Sequence, residues 1–230
     1  MILANGLVRT LDPHAPTQRA LAIAGERIAG GVGVHETALA SPETVDLGGC
    51  VVVPGLTDAR VRAGDDLDSL RRALKVAAAR GVTAVHALDG LRLWAELDAA
   101  RALTLRVWQL LTPAELAAAE SLGLRTGFGS AFLRLGDGDA AADGVYGSGR
   151  PLAAIDPLAH LLAAVDRAEA LAAMTVRPAA LTGDARRRGR LLPGFAADLV
   201  VLDRDPLTGP GAEVVATMVA GRWVHNPPPW

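Results

Sequence analysis

Residues 51–62 read Val-Val-Val-Pro-Gly-Leu-Thr-Asp-Ala-Arg-Val-Arg. The β-branched run from Val51 to Val53 is typical of a buried strand, and Pro54-Gly55 closes that strand with a turn. Two arginines then alternate with apolar residues, so Arg60 and Arg62 lie on one face if this segment is also extended. The stretch therefore predicts a buried strand, a turn and a charged strand end.

Both ends of the chain carry strand signals. Asn5-Gly6 interrupts the apolar stretch from Ile2 to Thr10 and predicts a hairpin turn. Other apolar runs bounded by turn residues predict further strands. These runs are 21–28 (a hairpin around Gly25), 197–203 (a buried strand) and 214–224 (a hairpin at Ala220-Gly221). The simplest architecture pairs the two β-rich ends in one small sandwich around a central α/β region.

The central part of the chain alternates between strand and helix patterns. Asp65 and Asp66 precede a helical apolar pattern that ends at Gly81, and Thr112-Pro113-Ala-Glu115 is a capping box that opens another helix. The remaining predicted elements are strands at 82–85 and 104–111 and helices at 91–102 and 157–174. The stretch 127–149 is rich in Gly, Asp and Ala and is the least structured by pattern. This alternation indicates βα units and a parallel sheet.

Composition restricts the class of protein. Half of the 230 residues are hydrophobic, so the chain can bury a core. A net charge of −2 makes nucleic acid and anionic membranes unlikely partners. Cys50 is the single cysteine, which excludes an internal disulfide and a thiolate zinc cluster and fits a reducing cytoplasm. We expect neither a secretory signal nor a membrane-spanning helix.

Three segments resemble the amidohydrolase superfamily of metal-dependent hydrolases when they are taken together and in order. They are Val51–Ala59, Ala168–Gly183 and Gly194–Asp203. Within that family, segments 82–86, 111–116 and 122–127 are most similar to the extended amidohydrolases of the YtcJ-like type. The resemblance implies a TIM barrel and a composite β-sandwich built from both chain ends.

Length limits how much of a barrel the chain can form. Under this resemblance, residues 1–55 and 191–230 form the composite sandwich domain, and residues 56–190 form the barrel domain. A complete (β/α)₈ barrel needs about 250 residues. The predicted fold class is therefore α/β, with an incomplete TIM-barrel remnant of about four βα units plus the sandwich.

The resemblance also implies a chemistry that this chain has lost. In the family, zinc or another divalent metal activates water for hydrolysis of C–N bonds other than peptide bonds. Its first ligands are a His-x-His pair just after a strand Asp, and the matching positions here are Asp58, Arg60 and Arg62. Arginine stays charged and does not coordinate a cation. We therefore expect no metal cofactor.

Later family positions have changed as well. The position of the bridging lysine is Asp139, shortly before Ala142-Asp143-Gly144, and the position of the last-strand aspartate is Gly149. These two family segments should lie far apart in the chain, so a deletion is predicted between Ala142 and Ser148. The resemblance assigns no catalytic residue to this chain.

A candidate pocket remains, formed by Asp58, Arg60, Arg62, His86 and Asp89. His86 ends a barrel-like strand, where barrel sites form, although a hydrogen-bonded structural histidine is the alternative. Asp58 could instead pair with Arg60 or Arg62, and Asp89 could cap the next helix. The two arginines could bind a small anion or simply neutralise nearby acids.

Other polar groups carry weaker signals. No two histidines among His14, His35, His86, His160 and His225 lie within five residues of each other, so no local histidine pair for a metal exists. The spacing of Asp137, Asp139 and Asp143 misses the EF-hand pattern, which favours a solvated loop. Arg186-Arg-Arg188 is interpreted as a solvated turn, and Cys50 as inert packing.

The leading hypothesis is a catalytically silent amidohydrolase homologue that acts as a small-molecule (anion) binder or an interaction protein. The alternative is an active hydrolase of C–N bonds, with a rebuilt site that uses His86, Asp58 and residues from a second copy. A homodimer would also cover the exposed edges of an open sheet. A decaying gene product with no selected role is the third possibility.

Overall fold

The computed structural model describes residues 1–30, 43–138 and 144–229, and these form three sheets and six α-helices. The strands are β1 (Ile2–Ala4), β2 (Leu7–Arg9), β3 (Thr17–Gln18), β4 (Leu21–Ala24), β5 (Arg27–Gly30), β6 (Thr44–Asp46), β7 (Val51–Pro54), β8 (Leu56–Arg62), β9 (Val82–Ala87), β10 (Arg106–Leu111), β11 (Leu133–Asp137), β12 (Arg150–Pro151), β13 (Leu199–Leu202), β14 (Val214–Val219) and β15 (Arg222–His225). The helices are α1 (Leu67–Ala79), α2 (Leu91–Ala99), α3 (Pro113–Ser121), α4 (Pro157–Ala163), α5 (Arg167–Ala173) and α6 (Val176–Leu181), with a short 3₁₀ helix at Leu152–Ala154. No helix of the described residues is long and apolar enough to cross a membrane.

A six-stranded sheet joins the two ends of the chain. Its order is β15-β14-β13-β7-β2-β3, and β7 pairs antiparallel with β13, with Val53 opposite Val200. The predicted hairpin near the C-terminus is confirmed as β14 and β15. Its turn residues Ala220 and Gly221 both have positive φ, 50° and 72°, as a tight hairpin turn requires.

A four-stranded sheet, ordered β5-β4-β1-β6, lies next to it. The hairpin predicted around Gly25 is confirmed by the antiparallel pairing of β4 and β5. The hairpin predicted at Asn5-Gly6 is wrong, because β1 belongs to the four-stranded sheet and β2 to the six-stranded sheet. The chain crosses between the sheets at Gly6, where an added Cβ would lie 2.5 Å from Leu47 Cδ1. The glycine is needed for this close approach and not for a tight turn.

The two sheets share one apolar core. Buried side chains of the two sheets pack against each other. The four-stranded sheet contributes Leu3, Leu21 and Ile28, and the six-stranded sheet contributes Val8, Val52, Leu199, Val201 and Met218. Cys50 packs against this core, and burial raises the pKa of its thiol, which makes the thiol less reactive at neutral pH.

The third sheet is wholly parallel and has the order β11-β10-β9-β8-β12. Helices α1 and α2 cover one face, where Leu70 and Trp94 are fully buried against Val85 and Val107. Strand β11 lies in the segment that was predicted to be least structured. The sheet is open, because among the described pairings its edge strands β11 and β12 do not pair with each other.

Helix signals in the sequence correspond closely to the structure. Thr112 and Glu115 form the predicted capping box at the start of α3, and Asp66 caps α1 by accepting the N–H of Ser69. Helix α2 ends at Ala99, three residues before its predicted end. The segment from 157 to 174 forms two helices, α4 and α5, which pack on the outer face of the six-stranded sheet through Leu158 and Leu171.

Candidate functional site

Arg62 and Asp89 lie at the carboxyl end of the parallel sheet. The Arg62 Nη1 atom is 3.2 Å from Asp89 Oδ2, and the other carboxylate oxygen accepts the N–H of Ala63 at 2.7 Å. Both side chains are largely solvated, at 59% and 41% exposure. Asp89 does not cap α2, because the residue at the cap position is Gly90 and no side chain bonds there. Asp89 instead ties the end of β8 to the loop that follows β9.

Asp58 is fully buried within β8. Its Oδ1 atom accepts the backbone N–H groups of Arg60 and Ser148, each at 3.0 Å. Loss of hydration raises the pKa of this carboxyl, and the hydrogen bonds from Ser148 and Arg60 oppose that rise. The contact with Arg60 therefore runs through the backbone N–H, while the Arg60 side chain is exposed and lies against Gly147.

Tyr146 and His160 interact electrostatically with Asp58. The Tyr146 and His160 rings lie 4.6 Å apart between centroids, and the electrostatic interaction with His160 lowers the pKa of Asp58. The Oδ2 atom of Asp58 is buried and has no hydrogen-bond partner among the described residues. A buried carboxylate with one unpaired oxygen is costly to keep charged, in line with its raised pKa.

His86 lies in a different environment. It is 2% exposed in β9 and lines a small cavity of about 20 Å³ together with Thr57, Thr175 and Arg188. Burial, and then the positive charge of Arg188, lower the pKa of His86 to about 3, so the ring is neutral at pH 7. Its Nδ1 atom has no partner within the described part of the chain. The cavity has room for about one water molecule, which could bond that nitrogen.

The five residues predicted as a pocket therefore divide into separate groups. Arg62 pairs with Asp89, Asp58 bonds the backbone of Arg60, and His86 lines a cavity that includes none of the other four. Residues 1–30, 43–138 and 144–229 contain no group of three or more His, Cys, Asp or Glu side chains that could hold a metal ion. The side chains of these described ranges do not fit the metal centre that the resemblance implies. The positions Asp139, Ala142, Asp143 and His35 lie outside the described residues.

A larger cleft lies at the opposite, amino end of the parallel sheet. Arg106 is the first residue of β10 and Arg134 is the second residue of β11, and both line the cleft. Its cavity volume is about 120 Å³. Residues between α6 and β13 form the facing wall. They are Asp184, Arg187, Arg188 and Ala196.

Asp184 is the shared carboxylate of this cleft. It is 6% exposed and accepts a hydrogen bond from Arg188 at 2.6 Å, while Arg134 lies 3.5 Å and Arg187 lies 3.9 Å away. Burial lowers the pKa of the Arg188 guanidinium, and the charge of Asp184 opposes that change. Three guanidinium groups thus depend on one carboxylate.

A second buried ion pair borders the same cleft. Arg106 binds both carboxylate oxygens of Asp198, at 2.7 and 3.1 Å, and the exposures of the two side chains are 11% and 8%. The Asp198 Oδ1 atom also accepts the N–H of Ala220 at 2.8 Å. This pair ties the parallel sheet to the six-stranded sheet, because Arg106 belongs to β10 and Asp198 directly precedes β13.

This cleft was not predicted from the sequence. Arg186–Arg188 was expected to form a solvated turn, but Arg188 is only 12% exposed, whereas Arg187 is 58% exposed. The available signal was the spacing of Asp184 and Arg188, four residues apart, which favours an ion pair on a helical turn. Nothing in the local sequence indicated that Arg134 would meet the same carboxylate.

Comparisons with known proteins agree with the resemblance seen in the sequence. A sequence profile of the amidohydrolase family matches residues 158–225. No curated protein matches the chain. The match covers α4, α5, α6 and the strands β13 to β15, which is the region that contains Asp184, Arg188 and Asp198.

The fold is similar to solved hydrolase structures. An uncharacterised metal-dependent hydrolase from Pyrococcus horikoshii OT3 has 13% identity and a TM-score of 0.73, over 90% of this chain and 98% of that chain. The ochratoxinase of A. niger has 16% identity and a TM-score of 0.70, over 98% and 95% of the two chains. A mutant of the atrazine chlorohydrolase TrzN from Arthrobacter aurescens TC1, complexed with zinc and atraton, has 12% identity and a TM-score of 0.68, over 98% and 95%.

At these identities the structural likeness concerns the fold alone, while the profile match concerns the sequence of the C-terminal third. The predicted resemblance is confirmed at the level of the superfamily, and the narrower similarity to the YtcJ-like type stays a prediction. A chain of 230 residues is consistent with a shortened member. This protein thus resembles the metal-dependent hydrolases of the amidohydrolase superfamily in its mixed α/β fold and in its C-terminal sequence.

Proposed function

We propose that this chain is an amidohydrolase-like protein that has lost the metal site, does not carry out metal-dependent hydrolysis, and binds a small anionic molecule. The observation that carries the proposal is the state of the two positions where the resembled family has its first histidine ligands. Arg60 and Arg62 occupy them, and Arg62 is engaged in an ion pair with Asp89.

Electrostatics support the loss of the metal. Two permanent guanidinium charges at the end of β8 would repel a divalent cation, and neither group has a lone pair to donate. Asp58, which remains from the family motif, uses Oδ1 to accept two backbone N–H groups. That oxygen therefore serves to hold the loop at Ser148 against β8.

The architecture supports an internally shortened barrel. We propose that the open parallel sheet is a barrel remnant of about four βα units within residues 56–190, and that residues 1–55 and 191–230 form a composite sandwich. Strand β12 directly follows the predicted deletion and pairs parallel with β8. In a closed barrel the last strand pairs with the first, so this pairing fits the removal of the strands between them.

Metal analysis of the purified protein tests the proposal. Full-length protein is expressed in medium supplemented with zinc, and its metal content is measured by mass spectrometry after gel filtration. We expect far less than one metal per chain and no hydrolysis of model amides. Stoichiometric zinc, manganese or iron would overturn the proposal.

A double variant provides the matched comparison. Arg60→His with Arg62→His restores both imidazoles on β8, and two imidazoles at this spacing can bind one metal ion. We expect the double variant to retain more zinc than the wild-type chain under the same conditions. Equal and substantial retention by both chains would show that these positions do not control metal binding.

The rival proposal is an active hydrolase with a rebuilt site shared by two copies. Asp58 favours it, because a buried carboxyl with a raised pKa is a common feature of catalytic acids. His86 weighs against it, since the cavity that it lines does not include Asp58. We also propose a homodimer, because proteins usually cover an open sheet edge. Measurement of mass in solution tests the dimer, and a monomer at micromolar concentration would contradict it.

A further inference from the structure

We propose that the cleft at the amino ends of β10 and β11, and not the pair Arg60 and Arg62, is the anion site of this protein, and that its ligand is a small organic carboxylate with an apolar body. This inference rests on the proposed anion-binding function and gives it a place and a ligand class. We refer to this site as the arginine cleft. Its cationic lining consists of Arg27, Arg106, Arg134, Arg187 and Arg188.

The charge balance of the arginine cleft favours an anion. Five arginines line it, against the two carboxylates of Glu26 and Asp184. Arg106 is matched by Asp198, but Arg134, Arg187 and Arg188 all lie within 4 Å of the single carboxylate of Asp184. A carboxylate neutralises one guanidinium, so this group keeps an excess of about two positive charges. An incoming carboxylate would offset part of that excess.

The geometry leaves donors for such a ligand. Arg134 and Arg187 lie at 3.5 and 3.9 Å from Asp184, which is longer than an ordinary charged hydrogen bond. The Nε atom of Arg188 is buried, and no partner for it exists among residues 1–30, 43–138 and 144–229. Buried N–H groups are rarely left without a partner, so this donor points to a missing acceptor.

The walls of the cleft distinguish an organic carboxylate from inorganic phosphate. Trp108 and Phe132 line the cleft beside the arginines. The Arg106 guanidinium lies 5.1 Å from the centroid of the Phe132 ring, which holds that ring next to the positive charge. An apolar body can pack on the aromatic wall while its carboxylate contacts Arg134 and Arg187. Inorganic phosphate would gain nothing from that wall.

The position of the cleft separates it from the family's catalytic end. Barrel enzymes place their active sites at the carboxyl ends of the strands. Arg106 and Arg134 instead stand at the beginnings of β10 and β11, and the facing wall comes from the segment between α6 and β13. A ligand bound here would contact neither Arg62 nor Asp89. The proposed site is therefore at a different place from the hydrolase site of barrel enzymes.

Calorimetric titration of the full-length protein tests the proposal. The probes are benzoate, which combines a carboxylate with an apolar ring, and inorganic phosphate, each raised to about 10 mM. We expect saturable binding of benzoate and weaker or no binding of phosphate. Arg187→Gln, at a half-exposed position that should leave the fold intact, is expected to weaken benzoate binding about 5-fold, and Arg134→Gln about 10-fold.

Two control variants separate the possible results. Arg92→Gln removes a guanidinium from an exposed pair on α2, remote from the cleft lining, and should leave the affinity unchanged. The double variant Arg60→Gln with Arg62→Gln should also leave it unchanged.

If this double variant abolishes binding and Arg134→Gln does not, the inference is overturned while the proposed anion-binding function survives. If phosphate binds more tightly than benzoate, the carboxylate assignment is overturned. If neither probe binds, both the site and the anion-binding function fail.

Discussion

Two arginine–aspartate pairs stand at opposite ends of the parallel sheet and have the same chemistry. Arg62 with Asp89 lies at the carboxyl end, and Arg106 with Asp198 lies at the amino end. In each pair the carboxylate also accepts one backbone N–H, from Ala63 or from Ala220. The first pair is 59% and 41% exposed and makes one contact at 3.2 Å, whereas the second is 11% and 8% exposed and bidentate.

Burial, and not residue type, distinguishes these two pairs. A solvated pair exchanges water for a partner at little net gain, and its contribution is within about 1 kcal/mol. Breaking a buried pair leaves a charge without water or partner, which costs several times more. The carboxyl end, where the resembled family keeps its catalytic groups, now contains the weakly coupled pair. The amino end contains the strongly coupled network.

The largest expected effect follows removal of the buried carboxylate. Asp198→Ala leaves the Arg106 guanidinium buried without its bidentate partner and the N–H of Ala220 without its acceptor. We expect a loss of about 3–5 kcal/mol in the free energy of unfolding, measured by urea denaturation. The matched variant Asp89→Ala removes a carboxylate of the same pattern at the exposed end and should cost about 1 kcal/mol. Equal losses would show that burial does not distinguish the two ends.

A smaller, pH-dependent effect comes from His86. Its pKa in the folded state is about 3 against an ordinary 6.5, because burial and then Arg188 disfavour its charged form, while Asp184 opposes them. Between these two pH values the unfolded chain binds a proton that the folded chain does not. The contribution of His86 to the free energy of unfolding is therefore fully present above pH 6.5 and is lost as the pH falls from 6.5 towards 3. The slope is at most about 1.4 kcal/mol per pH unit.

His86→Gln removes this titration and keeps a polar side chain in the cavity. Between pH 7 and pH 5 its free energy of unfolding, measured by urea denaturation, should fall by about 2 kcal/mol less than that of the wild-type chain. His14→Gln, at an exposed position, is the control and should follow the wild-type slope. A His86→Gln profile that is parallel to the wild type would show that folding does not lower the pKa of the His86 ring.

The smallest expected effect concerns Arg62. Arg62→Ala breaks a solvated ion pair and should change the free energy of unfolding by about 0.5 kcal/mol or less. Arg92→Ala breaks a comparable exposed pair with Glu96 on α2, and its loss in the free energy of unfolding is the reference value for Arg62→Ala. A loss above about 2 kcal/mol for Arg62→Ala would mean that the carboxyl end is as tightly coupled as the amino end.

Features that depend on near neighbours in the chain were predictable from the sequence. The capping box of Thr112 and Glu115 closes over four residues, and the β14–β15 hairpin depends on two turn residues. The presence of arginine at positions 60 and 62, where the resemblance implies histidine, is also a matter of residue type alone. For these features the sequence contains both partners of the interaction within a short segment, so pattern and chemistry were enough.

Features that depend on distant partners were decided only by the tertiary structure. Asn5-Gly6 has the composition of a hairpin turn, yet β1 and β2 lie in different sheets. Strand β1 pairs with β4 and β6, and β2 pairs with β3 and β7. Arg188 has the sequence context of a solvated charge, yet folding buries it between the cleft, where it binds Asp184, and the small cavity that His86 lines. Whether a charged side chain is buried depends on residues that are distant from it in the sequence. The sequence alone therefore places arginine at the two positions where the resemblance implies histidine ligands, and only the fold brings the charged side chains of the arginine cleft together.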